Sequence, residues 1–417
     1  MSTVHVVGAG LAGLACAVRL AGVGRPVVLY DMAAQAGGRC RSLFDGRLGR
    51  RIDNGNHLLL GSNQAVLRYL DAVGARGALV GPSRPAFPFV ELESGRRWTL
   101  RPNHGPVPWW VLSAARRVAE SRPWDYLATI RLAVASAEAT VADCFDRRTL
   151  LFRRFWKPLA VAALNAAPEE GAARLLWPVV RSTFLTAGDA AQPYIARDGL
   201  SATFVEPALA KLRAAGVEVR FGSRLCALRS EAARVVALAF TGEEVSLGRE
   251  DAVVLAVPPA SASELVPGLE TPADSRAILN VHYRLDAPPR WPFAAPFVGL
   301  VGGLAHWLFV RGDIVSATVS AADALITRPA DALATALWRD VARALGLGHA
   351  RVPPFRVVKE RRATFAQTPA ACARRARART RFVNLVLAGD WTDTGLPATL
   401  EGAARSGERA ARLEAAR

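Results

Sequence analysis

The sequence predicts an α/β fold in which a parallel β-sheet is interrupted by an inserted α+β domain. Residues 4–13 read VHVVGAGLAG, a short strand that runs into a glycine-rich turn. Residues 387–402 read LAGDWTDTGLPATLEG, which places a second glycine turn before a helix near the far end of the chain. A chain of 417 residues is also longer than one compact core usually holds, so we expect two domains.

The first predicted unit is a buried strand, a turn and a helix of small residues, and its turn has the pattern G-x-G-x-x-G. Gly8 permits the tight turn, Gly10 lets the backbone approach a diphosphate, and Gly13 lets the helix pack against the strand. The helix N-terminus adds free N–H groups that can bind phosphate. The order of these elements predicts a Rossmann-like dinucleotide site, although the glycine pattern alone also fits an ordinary strand–helix turn.

The second predicted strand, residues 25–31 with the sequence RPVVLYD, ends in an acid. A carboxylate at this position, Asp31, can accept hydrogen bonds from a ribose hydroxyl group. This unit alone does not distinguish a nicotinamide dinucleotide from a flavin dinucleotide.

Two segments after the second strand add further polar contacts. In AGGRCRS, Gly37 and Gly38 permit another close approach to the nucleotide, and Arg39 or Arg41 can bind a phosphate with two N–H groups. In IDNGNHLLLG, residues 52–61, polar residues and a glycine precede an apolar run. That segment fits either a ligand contact or a plain turn, and the pattern does not separate the two.

The C-terminal unit is again a strand, a turn and a helix. Residues 382–390 form an apolar strand that ends in Gly389 and Asp390, and the helix is predicted to include Pro397 in its first turn. The residues spaced for its buried face are Leu400, Ala403, Ala404 and Ala411. If this strand returns to the N-terminal sheet, Asp390 lies near Gly8, and both turns hold one extended ligand.

These motifs resemble the superfamily of FAD-dependent amine oxidases and phytoene desaturases. Three stretches, DNGNHLLLG, ERRATFAQTP and LAGDWTDTGLPATLEGAARSG, are similar to one branch, the squalene-associated FAD-dependent desaturases, understood as hydroxysqualene dehydroxylases of hopanoid-making bacteria. The resemblance covers the whole chain, more faintly in the middle. It implies a bound FAD and reduction of an isoprenoid alcohol. We expect the FAD to be held non-covalently, because the two glycine turns pair on one ligand and no Cys or His stands in a recognisable attachment context.

The resemblance also implies which residues contact FAD. The N-terminal turn binds the diphosphate, the acid after the second strand binds the adenosine ribose, and the backbone near Leu225 contacts the adenine. The acid is usually Glu in this superfamily, and Asp31 is a departure with a shorter arm. The expected cofactor residues are Gly8, Ala9, Gly10, Leu11, Ala12, Gly13, Asp31, Met32, Gly38, Arg39, Asn54, Gly55, Leu225, Gly389, Asp390, Pro397, Ala398 and Thr399.

In the same superfamily the stretch that matches residues 54–57 passes beside the flavin ring, and residues 394–399 face its other edge. His57 and Asn56 are therefore the candidate catalytic residues. His57 is either the proton donor, directly or through water, or a group that only hydrogen-bonds flavin or backbone.

The predicted strands divide the chain into a nucleotide domain made of three separated pieces. Residues 1–70, 195–262 and 376–417 are expected to form the FAD-binding domain. Residues 71–194 and 263–375 are expected to form the substrate-binding domain.

The inserted segments are rich in aromatic residues, and most of these fit an ordinary core, although together they could line a pocket for a long hydrocarbon. The adjacent pairs Trp109-Trp110 and Phe155-Trp156 cannot be wholly buried by one helix face. Residues 108–124, PWWVLSAARRVAESRPW, predict an apolar and basic helix that could rest on an anionic membrane. Residues 292–310 lack charge but contain prolines and glycines, so they are predicted as two strands rather than a membrane span.

Composition sets the remaining expectations. The net charge is +17, which suits an anionic lipid, nucleic acid or cofactor, or simply reflects an Arg-rich composition. Five scattered cysteines without a Cys-x-x-Cys motif favour reduced thiols and no metal site. We therefore expect a cytoplasmic protein, peripheral on the inner membrane, that binds a hydrophobic isoprenoid and no nucleic acid.

Three functions are compatible with these patterns. The first is a flavoenzyme acting on an isoprenoid lipid, either as a dehydroxylase or as a carotenoid-type desaturase. The second is a flavin amine oxidase, for which Lys359 is the candidate flavin-side lysine because the chain has only three lysines. The third is a non-catalytic binder, which the FAD pattern disfavours. No second G-x-G-x-x-G follows a strand, so reducing equivalents are expected to come from an external donor.

Overall fold

The computed structural model describes residues 2–186, 188–348 and 351–415. Its strands, in chain order, are β1 Val4–Val7, β2 Val27–Asp31, β3 Ser42–Asp45, β4 Arg50–Asp53, β5 Leu59–Leu60, β6 Leu79–Val80, β7 Phe87–Glu91, β8 Arg97–Leu100, β9 Pro193–Ala196, β10 Glu218–Phe221, β11 Leu225–Glu231, β12 Arg234–Phe240, β13 Glu243–Ser246, β14 Ala252–Leu255, β15 Ser275–Arg284, β16 Phe297–Val301, β17 Trp307–Arg311, β18 Ile314–Val319, β19 Phe355–Phe365 and β20 Leu385–Leu387.

The helices in the same residues are α1 Leu11–Ala21, α2 Gln64–Ala72, α3 Thr129–Ala133, α4 Val141–Cys144, α5 Lys157–Leu164, α6 Ala173–Phe184, α7 Glu206–Ala214, α8 Pro259–Leu265, α9 Ala330–Leu345, α10 Pro369–Ala373 and α11 Leu400–Ala415. Short 3₁₀ turns cover Arg76–Ala78, Trp109–Leu112 and Pro123–Ala128. Wider π-helical turns cover Phe152–Trp156 and Ser201–Val205.

A parallel sheet joins the two ends of the chain. Its strand order in the described residues is β10-β2-β1-β14-β20, and every neighbouring pair is parallel. The central strands are short apolar runs that are buried on both faces of the sheet. Helices α1 and α11 pack together against one of these faces. The predicted α/β class is confirmed, and β20 does return to the N-terminal sheet.

A second, mixed sheet has the order β19-β15-β18-β17-β16-β7-β8. Because side chains alternate along a strand, each strand presents one set of residues to α9 and the other set to the opposite face. Leu279, Val281 and Tyr283 of β15 pack on the α9 side, and Tyr283 Oη donates a hydrogen bond to Ala334 O over 2.6 Å. The other face carries polar residues. The predicted division of the chain into two domains stays a prediction.

Two predicted helices differ from the structure. Residues 108–124 are not one helix, because two separate 3₁₀ turns lie at the ends of this stretch and local side-chain hydrogen bonds to the backbone fix the chain. The C-terminal helix begins at Leu400, so Pro397 lies before its first turn. The Thr399 hydroxyl accepts the Gly402 N–H over 3.1 Å, so Thr399 caps the N-terminus of this helix.

Most aromatic residues of the inserted segments form an ordinary core. Phe155 and Trp156 are both buried, contrary to the prediction for adjacent pairs. They lie in a π-helical turn enclosed on two sides, where Phe145 stacks on Trp156 at a centroid distance of 4.4 Å and Phe184 packs edge-on against Phe155. Trp109 behaves as predicted, since it is exposed while its neighbour is buried.

The uncharged stretch at residues 292–310 forms β16, a turn and most of β17, as predicted. In the part of the chain that the structure describes, we find no helix with the length and apolar character needed to span a bilayer.

Candidate cofactor site at the carboxyl edge of the parallel sheet

Two glycines of the N-terminal turn are required by packing within the protein. Gly8 has φ +108°, and a Cβ there would lie 2.4 Å from Ala256 O. A Cβ on Gly13 would lie 1.8 Å from Gly8 O. Any side chain at either position therefore collides with backbone, and these two glycines hold β1, β14 and α1 in close contact.

Gly10 is different, because neither its backbone nor its neighbours require glycine. Its φ of −71° and ψ of 177° are open to any L-residue, and no atom lies within 4 Å of the position that a Cβ would take. The residue is the N-cap of α1, so the open space lies against the free N–H groups of the first helical turn. A diphosphate fits this cradle, which a side chain would fill.

Asp31 closes one side of the turn. Its Oδ2 accepts the Ala9 N–H over 2.7 Å, and its Oδ1 accepts the Ala33 N–H over 2.8 Å. Each carboxylate oxygen keeps a further lone pair for a ribose hydroxyl. The backbone oxygen of Asp31 accepts the Ser223 N–H over 2.9 Å, which places the chain before Leu225 beside this end of the site. Met32 is exposed next to Asp31.

The second glycine segment packs directly on the first. Gly37 donates its N–H to Ala9 O over 2.8 Å, and a Cβ on Gly38 would lie 3.4 Å from the Gly10 Cα. Arg39 then extends to the C-terminal turn, where its Nη2 forms a 2.7 Å ion pair with Asp390 Oδ1. The two ends of the chain are thus bridged by one charge pair, and the pairing of Asp390 raises the pKa of Arg39.

The C-terminal turn is fixed by its own helix. Gly389 has φ +144° and donates its N–H to Ser406 Oγ over 2.8 Å. A Cβ on Gly407 would lie 2.2 Å from Ala12 O, so this glycine lets α11 lie tightly on α1. Since β20 and β1 both flank β14, both glycine turns lie at the same carboxyl edge of the sheet.

Arg375 holds the loop that follows this turn, and the sequence did not single it out. Its buried guanidinium donates hydrogen bonds to Asp390 O, Trp391 O and Leu396 O over 3.0, 3.2 and 2.8 Å. Further bonds run to Thr392 O and to Thr394 Oγ1. Burial lowers the pKa of Arg375, because backbone oxygens replace the water that would solvate its charge.

Gln367 supports the last three predicted contact residues. It is fully buried, its Nε2 donates to Leu164 O over 2.6 Å, and its Oε1 accepts the Ala398 N–H over 2.8 Å. Pro397, Ala398 and Thr399 therefore form a supported stretch that leads into the N-terminus of α11.

The segment that contains Asn54 and Gly55 meets the polar face of the mixed sheet. The Asn56 Nδ2 donates to Thr318 Oγ1 over 3.0 Å and to Asn280 Oδ1 over 3.3 Å, and the Thr318 hydroxyl donates to Asn280 Oδ1 over 2.8 Å. Asn54 Nδ2 donates to Glu360 Oε2 over 3.1 Å. Asn280 is fully buried, so this network fixes the segment rather than solvating it.

Asn280 and Thr318 are functional candidates that the sequence reasoning missed. Asn280 and His282 alternate with apolar residues in LNVHYR, and this alternation was the available signal for a polar strand face. The partner strand could not be read from the pattern, because pairing of β15 with β18 brings residues together that are 38 positions apart.

His57 lies in the same segment and is held neutral. Burial lowers the pKa of His57 to about 4, an effect that Asp53 opposes and Arg39 reinforces. Within the described residues neither ring nitrogen of His57 has a hydrogen-bonding partner. At pH 7 the side chain therefore offers a neutral imidazole, with one donor and one acceptor nitrogen, rather than a stored proton.

Lys359 faces away from this network. Neighbouring strand residues point to opposite faces, and Glu360 points towards Asn54. The Lys359 ammonium donates instead to Arg328 O over 2.6 Å, on the side of the sheet where α9 begins. Lys359, the candidate flavin-side lysine of an amine oxidase, thus lies on the face of the sheet opposite to Asn54.

Comparisons with known proteins show the family and the fold of the chain. Residues 11–413 match the family described as flavin containing amine oxidoreductase. A protein of Rhodopseudomonas palustris named hydroxysqualene dehydroxylase is 48% identical over 99% of this chain and 98% of its own. A zeta-carotene desaturase of Synechocystis is 40% identical, but only over 18% of this chain and 15% of its own. A double mutant of putrescine oxidase superimposes over 100% of both chains with a TM-score of 0.73 at 15% identity, which shows a shared fold.

Proposed function

The chain belongs to the family of flavin-containing amine oxidoreductases, and from this premise we propose that it is an FAD-dependent enzyme that removes the hydroxyl group of hydroxysqualene. The full-length likeness to a hydroxysqualene dehydroxylase carries the substrate assignment. The desaturase likeness covers too little of the chain to support the alternative.

We propose that the cofactor binds along the carboxyl edge of the parallel sheet. The diphosphate would lie over Gly10 and the N–H groups of α1, and the adenosine would lie between Asp31 and Leu225. Asp390 and the stretch from Pro397 to α11 would hold the flavin end. Neither the backbone conformation nor the packing of the protein requires a glycine at position 10. The open space that Gly10 leaves supports this placement.

The reaction needs two electrons and two protons, since an alcohol R–OH gives a hydrocarbon R–H and water. FAD, once bound and reduced, would supply the hydride for the carbon that bears the hydroxyl group. The hydroxyl departs most readily as water, and if it is allylic the developing cation is stabilised by the adjacent double bond. Because the chain lacks a second Rossmann pattern, we propose that an external donor supplies the electrons.

We propose that Asn56 and His57 act at the hydroxyl group. Asn56 is fixed by Asn280 and Thr318, which makes these two positioning residues for the segment. The free ring nitrogens of His57 can hold the departing oxygen or relay a proton from water. With a pKa of about 4, His57 does not itself carry the proton as an imidazolium at pH 7.

A substrate panel tests the proposed function. Anaerobic enzyme with reduced flavin is mixed with hydroxysqualene, and enzyme with oxidised flavin is mixed with a primary amine or a carotenoid precursor. We expect only hydroxysqualene to change the flavin spectrum, with squalene as the product. Reduction of the oxidised flavin by the amine or by the polyene would move the assignment to an amine oxidase or a desaturase.

The pH dependence distinguishes the two roles of His57. Because its pKa is about 4 in the folded protein, we expect a rate without an inflection from this group between about pH 6 and 8. His57→Ala should lower kcat by about 10²-fold, as for other positioned acid–base groups, and His57→Gln should recover part of the loss because its amide can still hydrogen-bond. An inflection near pH 6.5 that disappears in His57→Ala would instead show that an imidazolium is the acid.

The location of the protein in the cell is also a proposal. The substrate is a long hydrocarbon, and the chain carries a net charge of +17. We propose that the protein is cytoplasmic, attaches peripherally to the anionic inner membrane, and serves squalene and hopanoid synthesis.

A further inference from the structure

Exposed apolar side chains are concentrated in one segment. Among the described residues, seven of the twelve well-exposed large apolar side chains lie within residues 107–134, with exposed fractions from 49% to 76%. We call them the 107–134 surface. Its members are Val107, Trp109, Leu112, Trp124, Leu127, Ile130 and Val134. Single exposed apolar residues are normal, but four of these seven lie on two 3₁₀ turns that pack together through the rings of Trp110 and Tyr126, and a patch of this kind is typical of an interaction surface.

The backbone that presents this surface is fixed by internal hydrogen bonds. Arg117 donates from Nε to Ser121 O over 2.8 Å and from Nη1 to Leu112 O over 3.1 Å. The Tyr126 hydroxyl accepts the Val118 N–H over 3.1 Å, so the two 3₁₀ turns are tied together. The apolar side chains are therefore held outward by a folded scaffold and are not the contents of a loose loop.

The inner side of the same segment is part of the aromatic core. Trp110, Val118 and Leu132 are buried, although each lies within two residues of an exposed or half-exposed neighbour. Trp110 packs edge-on against Tyr126 at a centroid distance of 5.3 Å, and Tyr126 packs on Phe155 at 6.3 Å. The segment is thus amphipathic, with one side anchored in the protein and the other side without a partner in the described chain.

Arginines border the exposed side chains. Arg116 lies over the Trp109 ring at 4.5 Å from its centroid, and Arg122 lies over the Trp124 ring at 5.7 Å. Residues 107–134 contain four arginines and two acids, and one of the acids, Glu120, pairs with Arg154 over 2.8 Å. The border of the surface is therefore positively charged.

We propose that the 107–134 surface docks on a lipid bilayer that contains anionic lipid, with its apolar side chains in the acyl boundary and its arginines among the headgroups. This inference rests on the proposed function in one respect only, which is that docking would bring the enzyme to a substrate that dissolves in the bilayer. The docking itself follows from the exposed side chains and from charge complementarity.

A bilayer fits this surface better than a protein partner does. Tryptophan with an arginine over its ring is suited to the membrane–water boundary, where the indole is half-buried and the guanidinium extends to the headgroups. The apolar side chains lie on two 3₁₀ turns, on the short helix α3 and on the residues that flank them, so they offer separate points of insertion. The seven members carry no formal charge, which agrees with direct contact with acyl chains.

The experiment is vesicle co-sedimentation of the full-length holoenzyme. Vesicles of phosphatidylcholine alone are compared with vesicles that contain phosphatidylglycerol, at low and high salt. The triple variant Trp124→Ser, Leu127→Ser, Ile130→Ser is compared with wild type. The matched control is Phe44→Ser, Val383→Ser, which removes equally exposed apolar side chains elsewhere on the surface. Unchanged flavin absorbance and unfolding temperature show that each variant is folded.

We expect the triple variant to lose at least about tenfold in partition to both vesicle types, while the control binds as wild type does. Arg116→Gln with Arg122→Gln should remove mainly the preference for anionic vesicles and its salt dependence. Equal binding by wild type and the triple variant would overturn the proposal. A change of oligomeric state in the triple variant, without a change in vesicle binding, would assign the surface to a second copy of the chain. Vesicle binding is read without turnover, so failure of the proposed reaction would not affect this result.

Discussion

Gly10→Val should give a folded protein that no longer retains FAD. The backbone of Gly10 is in an ordinary extended conformation and no atom lies within 4 Å of the Cβ position, so the substitution costs the protein itself little. The valine side chain would instead fill the space over the first turn of α1, where the diphosphate is proposed to lie. We expect an affinity loss of about 100-fold or more, equivalent to roughly 3 kcal/mol.

Two other glycines are the controls for this prediction. Gly46 has the same open surroundings, so Gly46→Val should keep wild-type flavin content. Gly13→Val should fail to fold, because its Cβ would lie 1.8 Å from Gly8 O. The measurement is flavin absorbance per mole of protein, with circular dichroism as the test of folding. Wild-type flavin content in Gly10→Val would show that the diphosphate does not lie over this residue.

Arg375→Met is expected to abolish retention of FAD by releasing the loop after Asp390. The guanidinium satisfies several backbone oxygens of residues 390–396 at once, and without it these buried acceptors lose their donors. Leaving such groups unpaired typically costs about 1–3 kcal/mol each. Arg375→Lys should retain part of the function, because an ammonium has three donors and a guanidinium has five.

Neighbouring arginines make a matched control for Arg375. Arg374 and Arg377 are exposed in the same run of sequence, so Arg374→Met and Arg377→Met remove the same charge without touching the loop. We expect the flavin dissociation constant, and the reduction potential of any flavin that remains bound, to change only in the Arg375 variants. If Arg375→Met behaves as Arg374→Met does, the loop does not depend on this residue.

The nucleotide end of the site could be predicted from sequence because its signals are local. Gly8 and Gly13 follow from the steric needs of a strand–turn–helix unit, and Asp31 follows from its place at the end of the second strand. The distant Gly389 and Asp390 could be linked to them on the expectation that the C-terminal strand returns to the N-terminal sheet, which β20 does by pairing with β14.

The residues that were missed depend on tertiary contacts. Arg375 lies among exposed arginines in ACARRARART, and only burial distinguishes it from its neighbours. Asn280 and Thr318 meet through strand pairing. The helix predicted at residues 108–124 failed for a different reason, since Asn103 and Tyr126 accept backbone N–H groups, and Arg117 donates to a backbone oxygen, in local bonds that fix two short turns and override helix propensity.

A single turnover in D₂O tests directly whether reduced flavin converts hydroxysqualene to squalene. Anaerobic enzyme with dithionite-reduced flavin is mixed with hydroxysqualene, and flavin oxidation and the product are followed together. The hydrogen on N5 of reduced flavin exchanges with solvent. We therefore predict that each oxidised flavin is accompanied by one squalene carrying one deuterium at the carbon that bore the hydroxyl group. Flavin that stays reduced beside unchanged hydroxysqualene, or squalene that carries no deuterium, would contradict the account.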